Sequence, residues 1–256
     1  MPLYFEKYGM GIPLVMLHGF TGSAQTWHPF INPLSDKSQL LLIDLPGHGK
    51  SVAMESYTMP FAAQAVATLI QQECDPPIHL LGYSMGGRLA LYIAIHYPHL
   101  ISRLILESSS PGLATEKERI QRQQRDNQLA EQLEQNGIAC FVEYWENIPL
   151  FETQNELPQF QRENLRSQRL QNSPTELANS LRGMGTGVQP SLWNALATLQ
   201  MPITLMAGEH DAKFVKIAQQ MNQEIPHGTL HLIADAGHTI HLEQPRKFGQ
   251  VVKETV

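Results

Sequence analysis

A serine between glycines, in Gly82-Tyr83-Ser84-Met85-Gly86, is the strongest candidate for a reactive residue in this chain. The apolar run Ile78–Leu81 leads into it, and a helix-like segment from Arg88 to Tyr97 leads out. This context predicts a nucleophile elbow, a strained strand-to-helix turn that raises the serine hydroxyl above the sheet edge. Glycine is needed beside the serine because a side chain there would clash with neighbouring backbone. The N–H of Met85 can point at a developing oxyanion.

Ser84 needs a general base, and His238 is the best placed of the eleven histidines. It lies in a loop after the apolar run Leu230–Ile233, and catalytic groups gather at the carboxyl ends of parallel strands. His238 and His241 also stand at a metal-ligand spacing, but no third ligand lies nearby and no HExxH pattern occurs. Metal catalysis is therefore not expected.

Asp211 is the predicted partner of the histidine. It follows the run Ile203–Met206, and a carboxylate at that place can hold the imidazole tautomer and stabilise its cation. Glu209 and Asp235 are the alternatives. The order serine, aspartate, histidine along the chain is a known triad order and favours Asp211.

Two further strand ends carry polar and turn residues. His18-Gly19-Phe20 follows the predicted strand Leu14–Leu17, and the N–H of Phe20 is the candidate for a second oxyanion donor beside Met85. His18 itself is interpreted as structural. The turn residues Asp44–Gly49 end the next strand, and we expect them to shape the sheet edge.

Short apolar runs alternate with helix-like segments, which predicts an α/β fold with a mostly parallel sheet covered by helices on both faces. Residues 112–199 break this alternation, because they contain no clear strand and are rich in Gln, Glu and Arg. They predict a helical cap (lid) inserted after the sixth strand into a core formed by 1–111 and 200–256. The predicted strands are Leu14–Leu17, Leu40–Leu45, Ile78–Leu81, Leu104–Leu106, Ile203–Met206 and Leu230–Ile233, and the predicted helices outside the cap are Trp27–Leu34, Phe61–Cys74, Gly87–Tyr97, Phe214–Glu224 and Gln244–Lys253.

Composition narrows the class of protein. The chain has 256 residues and a net charge of −6, which argues against general nucleic-acid binding. Two cysteines, Cys74 and Cys140, cannot form a disulfide framework and indicate a reducing compartment. Met1–Gly19 lacks signal-peptide character, and no apolar stretch reaches bilayer length. We expect a cytoplasmic protein without stable membrane insertion, working as a monomer on a small molecule.

From end to end the chain resembles the α/β-hydrolase superfamily. The resemblance is carried by HGF at 18–20, DLPGHG at 44–49, GYSMGG at 82–87, GEHD at 208–211 and GH at 237–238. It implies the α/β-hydrolase fold and its triad. The reaction does not follow, because this fold hosts esterases, peptidases, dehalogenases, lyases and hormone receptors.

The cap resembles that of the 2-succinyl-6-hydroxy-2,4-cyclohexadiene-1-carboxylate synthases, the MenH-type lyases of menaquinone and phylloquinone biosynthesis. The resemblance rests on the ER-x-x-R-x-x-x-D helix at 118–126 and on GTG-x-QPSLW at 185–193. It implies elimination of pyruvate from 2-succinyl-5-enolpyruvyl-6-hydroxy-3-cyclohexene-1-carboxylate, without a metal or organic cofactor. The residues implied are the triad Ser84, Asp211 and His238, the carboxylate-binding Arg88, Arg122 and Arg166, and the pocket residues Tyr83 and Trp145.

Arginine placement agrees with a substrate that carries three carboxylates, since the guanidinium fork binds carboxylates bidentately. Seven of the ten arginines lie in 112–199, but so do eleven acidic residues, so only inward-facing arginines would matter. Arg88 lies one turn after Ser84 in a helix otherwise rich in Leu, Ala and Ile. The same triad suits a carboxylesterase or carbon–carbon bond hydrolase, and the fold also suits a non-catalytic binding protein. These alternatives stay open at the level of sequence.

Overall fold

Seven strands form one sheet, with the spatial order β1-β3-β2-β4-β5-β6-β7. The structure is a computed structural model that describes residues 3–256. The first strand pairs antiparallel with β3 and every other pairing is parallel. The strands are β1 Phe5–Tyr8, β2 Ile12–Leu17, β3 Ser38–Ile43, β4 Ile78–Tyr83, β5 Ile101–Glu107, β6 Ile203–Gly208 and β7 Gly228–Ile233.

Helices cover both faces of the sheet, because its central strands are apolar on both sides. Every residue of β4 and β6 is buried. One face packs against α2 and α3, and the other against a layer that includes Trp27 and Phe248. The helices are α1 Ile31–Leu34, α2 Met59–Glu73, α3 Met85–His96, α4 Glu116–Glu146, α5 Gln159–Leu170, α6 Pro174–Met184, α7 Ala212–Glu224, α8 Ile240–Glu243 and α9 Pro245–Thr255, with 3₁₀ turns at Ala24–Phe30, Pro98–Leu100, Pro149–Glu156 and Trp193–Thr198. None of these helices is long and apolar enough to span a lipid bilayer.

The predicted α/β class is confirmed. Each of the six apolar runs coincides with a strand, although the run Leu40–Leu45 extends two residues beyond the end of β3 at Ile43. Strand β1 was not predicted, because it is an edge strand whose residues are only partly buried and therefore carry a weak apolar signal. The first half of the predicted helix Trp27–Leu34 belongs to the 3₁₀ turn that ends at Phe30, and the second half is α1. Pro29 inside that turn has no N–H to donate, which disfavours an α-helix there.

The elements between β5 and β6 in the described chain are all helical. The sequence predicted this helical segment after the sixth strand. In the structure it follows the fifth strand, β5. Within residues 3–256 only β1 precedes β2, and Gly9 and Gly11, at φ 70° and 118°, turn the chain directly from one into the other. The long helix α4 begins with a capping box between Thr115 and Glu118 and is broken at Gly137, where φ is 76°.

Two buried histidines anchor the turn after β3. The His18 ring donates through Nδ1 to the Gly19 carbonyl (2.8 Å) and accepts the Leu45 N–H at Nε2 (3.0 Å), which matches the predicted structural role. The centre of the His48 ring lies 5.1 Å from that of His18, and His48 Nδ1 donates to the Pro46 carbonyl. Burial, and then repulsion from His18, lowers the pKa of His48 to about 3. Burial also lowers the pKa of His18, so both rings are neutral in the folded protein at neutral pH.

We expect acid to destabilise the fold partly through His48. Its pKa is about 3 when folded and near its ordinary value of 6.5 when unfolded, so stability present above the unfolded value is lost as the pH falls towards 3. His48→Gln should flatten that loss by up to about 1.4 kcal/mol per pH unit. Denaturant unfolding from about pH 7 to about pH 4 measures the slope. The surface variant His99→Gln is the control and should keep the wild-type slope; an unchanged slope in His48→Gln would contradict the assignment.

Candidate active site

Ser84 occupies a strained turn between β4 and α3. Its φ and ψ are 49° and −106°, a conformation that L-residues rarely adopt. The turn is tight enough to require glycine on both sides, because a Cβ on Gly82 would lie 2.4 Å from the Gly86 carbonyl oxygen and one on Gly86 would lie 2.3 Å from that of Leu17. The Ser84 N–H donates to the Glu107 carbonyl (2.9 Å), which holds the turn against β5. The predicted nucleophile elbow is therefore present.

The structure joins Ser84, His238 and Asp211 in one hydrogen-bonded chain. Ser84 Oγ lies 3.0 Å from His238 Nε2, and His238 Nδ1 lies 2.7 Å from Asp211 Oδ2. His238 is 1% exposed and Asp211 is 8% exposed, so the pair is shielded from water. The rivals lie elsewhere: Glu209 is exposed, and Asp235 pairs with a lysine at the surface. With its second oxygen Asp211 accepts the N–H of Phe214 at the start of α7, which fixes the carboxylate.

The two expected oxyanion donors face the same cavity. Phe20 and Met85 both line a cavity of about 170 Å³ that also contains Ser84 and His238. Across residues 3–256, neither the Phe20 N–H nor the Met85 N–H has a hydrogen-bond acceptor within the protein. Both amides can therefore donate to a ligand oxygen beside the serine hydroxyl.

Aromatic rings form much of the cavity wall. Trp145 stacks on Phe141, with ring centres 5.5 Å apart, and meets Phe20 edge-on at 5.4 Å. The Tyr83 hydroxyl lies 2.9 Å from Thr239 Oγ1, and burial raises the pKa of this phenol. Tyr83 and Trp145 both line the cavity, so the structure brings both predicted pocket residues to the serine. Such a wall excludes water and strengthens electrostatic interactions inside.

Arg88 brings a buried positive charge to this cavity. Only 8% of the residue is exposed, and its Nη1 donates to Gln189 Oε1 at 2.6 Å. Burial, followed by the positive charge of Arg122, lowers its pKa to about 10, while Asp126 acts in the opposite direction. The guanidinium therefore stays charged at neutral pH. In the described chain it forms no ion pair.

The other two predicted arginines differ in position. Arg122 lines the cavity, and its Nε binds Asp126 Oδ1 at 2.7 Å, which leaves part of the guanidinium free. Arg166 is not brought to the cavity: it is absent from the cavity wall, its side chain is 40% exposed, and it pairs with Glu146. Its role in substrate binding stays a prediction that this position does not favour.

Two cations near the site, Lys213 and Arg169, were not predicted from the sequence. Lys213 lines the cavity, and its place two residues after Asp211 was the available signal. Arg169, one turn after Arg166 on α5, is 5% exposed and lies over the Phe151 ring at 5.3 Å. Its Nη2 donates to an amide oxygen at 3.3 Å, while its Nε has no acceptor among residues 3–256. Nothing in the sequence distinguishes Arg169 from Arg166, because the docking of the helix decides which one points inward.

His241 and Glu107 form a second buried pair behind the triad. Glu107 is fully buried and accepts both the backbone N–H and Nδ1 of His241, each at 2.9 Å. His238 and His241 therefore bind different carboxylates. Among the residues that the structure describes, no three His, Cys, Asp or Glu side chains group as a metal site requires.

The fold and the triad define an α/β-hydrolase-fold protein, and the family model described as alpha/beta hydrolase fold matches residues 12–245. A Bacillus subtilis protein, named provisionally as a 2-succinyl-6-hydroxy-2,4-cyclohexadiene-1-carboxylate synthase, is 44% identical over 94% of this chain and 89% of the relative. The Yersinia pseudotuberculosis synthase of that name is 35% identical over 93% and 85%. The structure of MenH from S. aureus matches with a TM-score of 0.95 at 39% identity, over 98% of this chain and 97% of that one. The chain belongs to this synthase family.

We expect the strained serine to cost stability that glycine would recover. The backbone strain is on the order of 1–3 kcal/mol, and the flexibility of glycine offsets about 0.5–1 kcal/mol of the gain. Ser84→Gly should therefore unfold with a free energy about 1 kcal/mol higher than Ser84→Ala. The alanine variant is the matched control because it also lacks the hydroxyl but keeps the strain. Denaturant unfolding of both measures the difference, and equal stabilities would argue against strain at Ser84.

Proposed function

We propose that this protein eliminates pyruvate from 2-succinyl-5-enolpyruvyl-6-hydroxy-3-cyclohexene-1-carboxylate to give 2-succinyl-6-hydroxy-2,4-cyclohexadiene-1-carboxylate, in menaquinone or phylloquinone biosynthesis. The observation that carries the proposal is the charge beside the triad. Arg88 is buried in the cavity of Ser84 and forms no ion pair within residues 3–256. A neutral ester gives such a charge no partner, whereas a substrate carboxylate does.

The triad acts as the base. The Ser84 hydroxyl takes the proton from the carbon beside the succinyl carbonyl and passes its own proton to His238 Nε2, 3.0 Å away. Asp211, at 2.7 Å from Nδ1, keeps the imidazole in the receptive tautomer and stabilises the cation that forms. The serine forms no covalent bond to the substrate in this reaction.

The oxyanion donors stabilise the charge that proton removal creates. The electrons of the broken C–H bond form an enolate, whose oxygen accepts the N–H groups of Phe20 and Met85. As the enolate carbonyl reforms, the electrons move through the ring double bond and break the bond to the enolpyruvyl oxygen. The leaving group departs as the enolate of pyruvate and takes up a proton, for which His238 is the donor at hand. One proton leaves carbon and one is returned, so the triad ends as it began.

The cations orient the substrate for this step. Arg88 and Arg122 approach the cavity from α3 and α4, and Lys213 approaches it from α7. For the third predicted arginine we propose Arg169 in place of Arg166. Arg169 does not line this cavity itself, but it is buried against Phe151, which does, and it forms no ion pair in the described chain, whereas Arg166 pairs with Glu146. Burial lowers the pKa of Arg169, which fits a cation that receives an anion only when substrate arrives.

We also propose that the protein works in the cytoplasm, as a monomer on this small polyanionic substrate. Cys74 and Cys140 are both free, which suits a reducing compartment. The net charge of −6 and the placement of cations inside the cavity suit a small anion better than a nucleic acid.

The proposed reaction is tested by incubating pure protein with the enolpyruvyl substrate and following pyruvate release. We expect Ser84→Ala and His238→Ala each to lower kcat by several orders of magnitude, on the order of 10³-fold or more, while binding of substrate stays nearly intact. Asp211→Asn should also lose most activity, because it favours the wrong imidazole tautomer. A variant that keeps a tenth or more of the wild-type kcat would remove its residue from the relay. An acyl-enzyme burst with an ester would instead favour the alternative, a carboxylesterase or carbon–carbon bond hydrolase.

The arginines give a second test, for which α5 supplies both a variant and its control. Arg88→Ala, Arg122→Ala and Arg169→Met should each lower kcat/KM roughly 30- to 1,000-fold, a loss of about 2–4 kcal/mol of transition-state stabilisation, because a desolvated substrate carboxylate loses its charged partner. Arg166→Met is the matched control on α5 and should lower it by no more than about threefold, because surface ion pairs contribute little. Steady-state kinetics on variants with wild-type melting temperatures decide the matter. A larger loss in Arg166→Met than in Arg169→Met would return the role to Arg166.

A further inference from the structure

We infer that Gln189 is a positioning residue that orients Arg88 through a neutral acceptor and thereby leaves the charge of Arg88 available to an anion. The identity of the anion rests on the function proposed above, while the role of Gln189 rests on the contacts of Arg88. The observation behind it is an unusual partner, since buried arginines are ordinarily paired with carboxylates. Here the only protein acceptor of the guanidinium, within residues 3–256, is an amide oxygen.

The remaining N–H groups of Arg88 are open to the cavity. Its Nη1 is used by Gln189 Oε1 at 2.6 Å, and a guanidinium has five N–H donors in all. In the part of the chain that is described, its Nε and Nη2 have no protein acceptor, and neither atom is fully enclosed by the protein. Asp126 is the one carboxylate whose charge acts on Arg88, but its Oδ1 binds Arg122 at 2.7 Å, its Oδ2 has no hydrogen-bond partner within residues 3–256, and it forms no ion pair with Arg88.

Packing and a backbone hydrogen bond hold Gln189 in place, while its side-chain Nε2 has no hydrogen-bond acceptor within residues 3–256. Its residue is fully buried, and its backbone N–H donates to the Gly185 carbonyl at 3.2 Å. The side-chain amide packs on Gly112, where φ is 90° and an added Cβ would lie 3.1 Å from Gln189 Nε2. The segment that follows is fixed to the same loop, because Trp193 Nε1 donates to the Gly112 carbonyl at 3.0 Å. The amide oxygen is therefore placed against Arg88 by packing near Gly112 and by the hydrogen bond to Arg88 itself.

A neutral acceptor and a carboxylate at this position differ in effect. Both orient the guanidinium, but a carboxylate in this enclosed place would also pair with its charge, and opposite charges at hydrogen-bond distance interact strongly at low dielectric. The substrate carboxylate would then compete with an internal anion. Glutamine gives the geometry without that competition. Gln189→Glu preserves the shape of the side chain better than Gln189→Met does. We nevertheless expect Gln189→Glu to weaken binding of the anion more.

The test compares these two substitutions in a Ser84→Ala background, so that binding is measured without turnover. The probes are the enolpyruvyl substrate and succinate, followed by calorimetry at neutral pH, with the melting temperature of each unliganded variant as the second readout. We expect Gln189→Glu to weaken binding of the enolpyruvyl substrate at least tenfold while its melting temperature stays equal or rises. Gln189→Met should weaken binding less than Gln189→Glu and lower the melting temperature.

Several outcomes overturn the inference. If Gln189→Glu binds as tightly as the parent, or if Gln189→Met loses at least as much affinity, Gln189 serves only packing. Failure of the parent to bind either anion would also overturn it. The proposed function fails separately: if the unsubstituted enzyme releases no pyruvate but Gln189→Glu still weakens succinate binding, the role of Gln189 stands and the reaction assignment does not. A double variant Arg88→Ala with Gln189→Glu is the control, and the added substitution should change affinity little once the guanidinium is gone.

Discussion

The close approach of Gly86 to the end of β2 is the contact on which the rest of the site depends. Because a Cβ on Gly86 would lie 2.3 Å from the Leu17 carbonyl oxygen, α3 can begin only where glycine lets the two backbones meet. That contact places Met85 beside the loop containing Phe20, so the serine and both oxyanion amides are positioned together. The strained conformation of Ser84 is the cost of this arrangement, and the surrounding sheet maintains it.

The cavity combines a proton relay with arginines whose positive charge is not fully paired with protein carboxylates. Asp211 is satisfied by His238 and by the start of α7, which fixes the direction in which the imidazole accepts a proton. The arginines are not satisfied by the protein in this way. Arg88 hydrogen-bonds a side-chain amide, and Arg122 uses only part of its guanidinium to bind Asp126. Aromatic walls around both groups lower the local dielectric. The same triad that serves hydrolysis in other members of the fold can thus act as a base on an anionic substrate.

The residues that could be predicted from the sequence are those that follow strands. Ser84, Asp211 and His238 each come directly after an apolar run, and parallel strands bring their carboxyl ends to one edge. Positions in the cap were harder, because α5 has no strand to set its orientation. Arg166 and Arg169 are one turn apart in a polar helix, and only the packing of Phe151 and Gln154 against Arg169 separates them. Strand β1 was missed for the related reason that an edge strand is only half buried.

The break at Gly137 divides α4 into two rods with separate tasks. The first rod carries Arg122 and Asp126, and the second carries Phe141 and Trp145. No atom lies within 4 Å of the Cβ position at Gly137, so the joint is not wedged by its neighbours. A continuous helix would couple the two sets of side chains, since any rotation that improved one would turn the other away. The break lets the two parts of the helix take different directions, so that the ionic and the aromatic side chains can both face the cavity although the two parts share one apolar cluster.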